Sequence, residues 1–306
     1  MGYQAGTPPR AVLLDIDGVL TVSWRALPGA VRAVEALRQA GLTVAFLTNT
    51  TSRTRAEITG ALRGAGFTVA PQEVFTAPAI GAAYLRAHFP GARVHLLNSG
   101  DVTADLLAPP AEGAAGTDPA GTDPAGTDPA GLTVAADGER PDVVVLGGAG
   151  PEFSYEALDA VFRHLTAGVP LVALHRNLYW RTDRGLQLDT GAFLHGLERA
   201  AGVRATVVGK PAPEFFTTAL GALGVGPAEA VMVGDDVETD VLAAQAMGIG
   251  GVLVRTGKFT EAALRAAGGR PDHVIDSVAD LPALLGISAA AGPSASGGAS
   301  GGERGR

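Results

Sequence analysis

Short apolar runs recur along the chain, each followed by polar or turn-forming residues and then by a stretch with helical spacing. Ala11–Leu14 (AVLL) runs into Asp15, and Leu42–Leu47 (LTVAFL) runs into Thr48 and Asn49. Between them Val31, Val34 and Leu37 return every third residue, the interval that lines up one helix face. Beyond Asn49, Thr54 and Glu57 have the spacing of a capping box ahead of Ile58 and Leu62, which predicts a helix start. Further apolar runs at 94–97, 142–146, 171–174, 205–208, 230–233, 251–254 and 273–275 predict strands, with helical segments between most of them. Strands alternating with helices predict an α/β fold with a doubly wound, Rossmann-like parallel sheet. Val143–Gly150 (VVVLGGAG) reads as a strand before a helix from Ser154. It fails as a dinucleotide G-x-G-x-x-G because Phe153 fills the last position.

Two stretches break the alternation. Gly116–Ala130 is GTDPA three times over, with nothing to anchor a core, and solenoid repeats need about 20 residues or more. It is expected to be a solvated loop. From Ser288 to Arg306 the chain is mostly Ala, Gly and Ser, and a disordered tail is expected.

Composition narrows the classes. At roughly 150 residues per domain, 306 residues suggest two compact units. With 31 acidic and 23 basic residues the net charge is −8, which argues against a nucleic-acid or anionic-membrane binder. There are no cysteines, so thiolate chemistry and cysteine zinc sites are excluded. The first ten residues hold no apolar leader. The longest uncharged stretch, Leu281–Gly302, turns to Gly and Ser too early to span a bilayer. A cytoplasmic protein is expected. Only two of the 23 basic residues are lysines, Lys210 and Lys258.

The polar residues that end the apolar runs carry the candidate chemistry. Asp15 and Asp17, in DIDGVL, directly follow a strand. In an open parallel sheet ligands bind beyond the carboxyl ends of strands, and two carboxylates there repel by roughly 4 kcal/mol at 4 Å unless a cation intervenes. A turn alone would also use Asp and Gly, and the pattern lacks the later acids of a calcium loop. Gly234–Asp240 (GDDVETD) again follows a strand. Helix capping explains one or two of its acids but not four in six residues. Carboxylate oxygens from both segments suit Mg²⁺. Lys210 ends the run at 205–208. Thr48, Asn49 and Thr50 offer hydroxyl and amide donors at the start of a helix, where an anion is favoured.

The order DIDGVL, LTNTT, VVGKP, GDDVETD resembles the four motifs of the haloacid dehalogenase (HAD) superfamily, specifically subfamily IIA. Gly185–Leu188, Ala205–Phe216 and Val254–Phe259 also resemble members of that subfamily, and the likeness runs from about Arg10 to Leu285 without the GTDPA insert. The resemblance implies a HAD core at 1–77 and 205–287, an inserted α/β cap at 78–204, and a tail at 288–306. It implies a Mg²⁺-dependent phosphatase acting on small phosphorylated substrates. Asp15 would be the nucleophile that forms an aspartyl phosphate, Asp17 the general acid/base, and Lys210 the neutralising cation. Thr48, Asn49 and Thr50 would bind phosphate. Asp15, the Asp17 carbonyl and Asp235 would hold the metal, with Asp236 and Asp240 in support. His175, after the 171–174 run, would lie near substrate. Members with similar motifs carry Ser where Asp17 stands; the full pair implies phosphomonoesters with poor leaving groups. Homodimerisation through the cap is an expectation from the family. The alternatives are a phosphotransferase or mutase of the same fold, and a non-catalytic binding protein.

Overall fold

The computed structural model describes residues 9–107, 131–136, 138–182 and 185–287. The repeat at 116–130 and the tail from 288 lie outside them. The strands are β1 (Ala11–Asp15), β2 (Thr21–Val22), β3 (Arg25–Ala26), β4 (Thr43–Thr48), β5 (Val74–Thr76), β6 (Arg93–Leu97), β7 (Thr133–Val134) and β8 (Val143–Leu146). They continue with β9 (Leu171–Ala173), β10 (Tyr179–Thr182), β11 (Gly185–Leu188), β12 (Thr206–Val207), β13 (Ala230–Gly234), β14 (Gly250–Val254) and β15 (His273–Ile275). Among the described residues these form a six-stranded sheet, a five-stranded sheet and two hairpins, β2–β3 and β10–β11.

The six-stranded sheet has the order β15-β14-β13-β1-β4-β5, and every pair is parallel. Succession runs one way from β1 through β4 to β5 and the other way from β13 to β15. The order therefore reverses beside β1, where a crevice opens at the carboxyl ends of the strands. Register sharpens this: Asp15 pairs with Leu47, and Leu14 with Val233. Asp15, Thr48 and Asp235 thus leave the sheet within one residue of the same level.

β1 is buried on both faces, as a central parallel strand must be. Val12 and Leu14 face one cluster with Val34 and Leu37 of α1 (Ala30–Gln39) and Ile58 and Leu62 of α2 (Arg55–Gly64). Each such aliphatic side chain contributes about 1.5–3 kcal/mol by leaving water. Leu13 faces the opposite cluster. That cluster also holds Ile80 and Leu85 of α3 (Ala77–His88), Phe215 and Phe216, and Val145 and Val172 of the second sheet. The two sheets therefore share apolar packing through α3.

The five-stranded sheet, β12-β9-β8-β6-β7, is also parallel throughout. Its outer face packs Val144 and Leu146 against Val161, Leu165, Leu194 and Leu197. One pairing differs from the sequence reading, which began the returning core segment at 205. Thr206–Val207 pairs with Val172 and Ala173 and so belongs to the second sheet. A two-residue strand carries no pattern that could reveal its partner.

Candidate active site

Both sheets turn their carboxyl ends to one cleft of about 630 Å³. β1, β4 and β13 deliver Asp15, Thr48 and Asp235 to it; β6, β8, β9 and β12 lead to Ser99, Gly148, His175 and Lys210. Lys210 therefore reaches the site from the second sheet, not from a fourth strand end of the first.

Lys210 is the electrostatic centre. Its Nζ lies 2.5 Å from Asp15 Oδ1 and 2.8 Å from Asp240 Oδ1, and all three side chains are buried. Burial works against the ammonium charge, but the two carboxylates outweigh it and raise the Lys210 pKa. Asn49 holds the lysine backbone at both ends: its Nδ2 donates to the Lys210 carbonyl, and the Lys210 N–H donates to Asn49 Oδ1, each at 2.9 Å. The Asn49 amide thus positions the lysine backbone.

Carboxylates from Asp15, Asp235 and Asp240 offer oxygens within 4.8 Å of one another. Burial, then mutual repulsion, raises Asp235 well above the ordinary carboxylate range. Burial pushes Asp240 up to about 6 despite Lys210, and it raises Asp15 as well. Asp235 Oδ2 accepts the Lys258 N–H at 2.7 Å, while its buried Oδ1 has no partner. Three clustered acids, two of them paired with Lys210, with an orphaned buried oxygen and only oxygen donors, form a fitting site for a hard divalent cation. Asp240 stands inside this group rather than merely beside it. Asp236 does not: its Oδ1 caps the following turn by accepting from Glu238 and Thr239 N–H at 3.1 Å. That turn, Val237–Leu242, is π-helical, which brings Asp240 back under Gly234.

Asp17 lies outside the cluster, at the cleft. Its Oδ2 accepts from Thr50 Oγ1 at 3.0 Å, and Thr50 Oγ1 in turn accepts from Thr48 Oγ1 at 2.9 Å. The protein packed around the carboxyl raises its pKa even though part of the side chain meets solvent. His175 lines the cleft and is buried, with Nε2 3.9 Å from Asp189 Oδ1; burial lowers its pKa. Asp189 also fixes the loop after β8 by accepting from the Ala149 N–H.

Sequence reasoning missed Lys258, Asp189, Trp24 and Arg53, all of which line the cleft. Lys258 carried a signal, as the other of the chain's two lysines, placed after an apolar run. Lys258 is half-buried, and Asp235, Asp15 and Asp240 together raise its pKa against the cost of that burial.

Residues 12–108 match the haloacid dehalogenase-like hydrolase family, and 207–281 match a HAD-hydrolase-like family. The human phospholysine phosphohistidine inorganic pyrophosphate phosphatase is 36% identical over 282 residues, covering 90% of this chain and 94% of that protein. The chain belongs to the haloacid dehalogenase-like hydrolases. Within them its relatives place it in subfamily IIA, and its class is that of a HAD-type phosphatase. Among solved structures, p-nitrophenyl phosphatase from Archaeoglobus fulgidus superposes with a TM-score of 0.78 at 25% identity, covering 91% of this chain and 100% of that one. Glycerol phosphate phosphatase from Mycobacterium tuberculosis, in complex with magnesium, gives 0.73 at 27% identity, covering 88% and 76%. No helix among the described residues is long and apolar enough to cross a membrane.

Proposed function

We propose that the protein is a Mg²⁺-dependent phosphatase that hydrolyses small phosphomonoesters through an aspartyl phosphate on Asp15. The observation that carries this reading is the buried Asp15–Lys210–Asp240 group with the orphaned oxygen of Asp235 beside it. Asp15, Asp235 and the backbone carbonyl of Asp17 would hold the cation, with Asp240 in support. Bound Mg²⁺ would supply charge neutralisation for the phosphoryl oxygens.

In the first step a carboxylate oxygen of Asp15 attacks phosphorus and the bond to the leaving oxygen breaks. Asp17, which Thr50 orients, gives its proton to that oxygen, and the raised pKa of its carboxyl is the direction a proton donor requires. In the second step water attacks phosphorus and passes a proton to the Asp17 carboxylate. Phosphate then leaves and the Asp15 carboxylate is restored. Lys210 holds Asp15 in one orientation and offsets charge as phosphate approaches. Thr48 keeps Thr50 in line with Asp17, and His175 forms a cleft wall toward the leaving group. In this reading the five-stranded unit acts as the cap over the core.

The test is release of p-nitrophenol from p-nitrophenyl phosphate with Mg²⁺ and with EDTA, for the natural protein and Asp15→Asn. Turnover that needs Mg²⁺ and vanishes in D15N is expected. Turnover that survives either change would overturn the reading.

A further inference from the structure

The β2–β3 hairpin turns on Ser23 and Trp24, whose backbones are both left-handed, with φ of 49° and 62°. Two-residue hairpin turns of this kind ordinarily use Asn-Gly or Gly-Gly. An indole in that conformation is held against local preference, and such positions concentrate where a side chain has a task. Trp24 packs partly on the apolar cluster of the first sheet, and its ring lies under the guanidinium of Arg53 at 4.9 Å. A cation there is attracted by the electron-rich ring face.

Arg53 is exposed and lines the same cleft as Asp15 and Asp17. Lys210 is clamped by two carboxylates in direct ion pairs, whereas Arg53 acts on Asp17 and Glu57 only from beyond ion-pair distance. A guanidinium held on an indole can still offer its planar fork, which binds carboxylate or phosphate in two bonds. Arg53 is three residues from Thr50, which bonds Asp17, and three residues reach at most about 10 Å. Arg53 and Asp17 line one cleft, and the guanidinium is near enough to act on the Asp17 carboxyl electrostatically.

We propose that Arg53, held over the cleft by Trp24, is a specificity-determining residue that binds a second anionic group, carboxylate or phosphate, on the leaving-group side of the substrate. The proposal rests on the phosphatase reading above and adds the substrate class to it.

Glycerol 3-phosphate, 3-phosphoglycerate and glycerol 1,3-bisphosphate form a matched set: a neutral, a carboxylate and a phosphate leaving group. The natural protein is expected to favour one of the two anionic members in kcat/KM by at least about tenfold over glycerol 3-phosphate. Preference for 3-phosphoglycerate assigns a carboxylate, and preference for the bisphosphate assigns a phosphate. Arg53→Gln is expected to collapse that ratio, mainly through KM, and Trp24→Leu to reduce it by freeing the guanidinium. Thermal melts of both variants accompany the kinetics. An equal ratio in the natural protein and R53Q overturns this inference and leaves the phosphatase reading intact. Failure of the natural protein on all three, and on p-nitrophenyl phosphate, overturns both.

Discussion

Gly18 and Gly257 close around the Asp235 carboxylate so tightly that a Cβ on either would sit 2.0 or 1.9 Å from its Oδ2. Both have positive φ, 85° and 64°, so a side chain is opposed by conformation as well as by space. Gly257→Ala is therefore expected to displace Asp235 and weaken Mg²⁺ binding by about 10–100-fold, read from the Mg²⁺ dependence of the melting temperature. An unchanged dependence would remove Asp235 from the metal site. Lys210 gives a second expectation at this scale. Lys210→Met leaves buried acids without their ammonium and should cost about 3–5 kcal/mol in urea denaturation with EDTA present. Asp15 and Thr48 were legible because they directly follow apolar runs, and Asp17, Lys210, Asp235 and Asp240 because they come within seven residues of one. Arg53 and Trp24 were not, since a hairpin turn and a loop, rather than a periodic pattern, bring them to the cleft.

Elements show the same division. α2 begins where the Thr54–Glu57 spacing predicted, with the Thr54 side chain accepting from the Glu57 N–H and the Glu57 carboxylate accepting from Thr54 N–H. Thr54→Ala should cost about 1 kcal/mol in chemical denaturation, and no change would show that the cap is redundant. β1, β4, β13 and β14 were readable because burial on both faces demands unbroken apolar runs, and β15 at the edge is only partly buried. β5 runs straight into α3 at Ala77 with no turn between them, and β10–β11 leaves Tyr179, Leu186 and Leu188 exposed, so neither made a pattern distinct enough to read. β12 was recognised as a strand but not as a member of the second sheet. That membership matters, because it makes Lys210 a bridge from one sheet to Asp15 on the other.

For the whole molecule, the buried acids set a pH dependence. Asp235 and Asp240 have pKa values above the roughly 3.9 of an unfolded aspartate, Asp240 at about 6. Between those limits the folded state binds more protons than the unfolded one, so stability without metal falls as pH rises from about 4 to beyond 6. In the proposed function Mg²⁺ would bind the deprotonated acids, so its stabilising effect should be larger at pH 8 than at pH 5. Melting curves with EDTA and with Mg²⁺ at both values check this; equal Mg²⁺ shifts would contradict it. The α/β class was evident from the alternation of elements, while the shared packing of two sheets through α3 required the three-dimensional arrangement.

The central claim is that phosphate passes through Asp15. Acid quenching during turnover of p-nitrophenyl phosphate with Mg²⁺, followed by peptide mass mapping, tests it directly. A single phosphoryl group on Asp15, absent from D15N, is the expected result. Steady turnover with no phosphorylated peptide, or a phosphoryl group on another residue, would contradict the account.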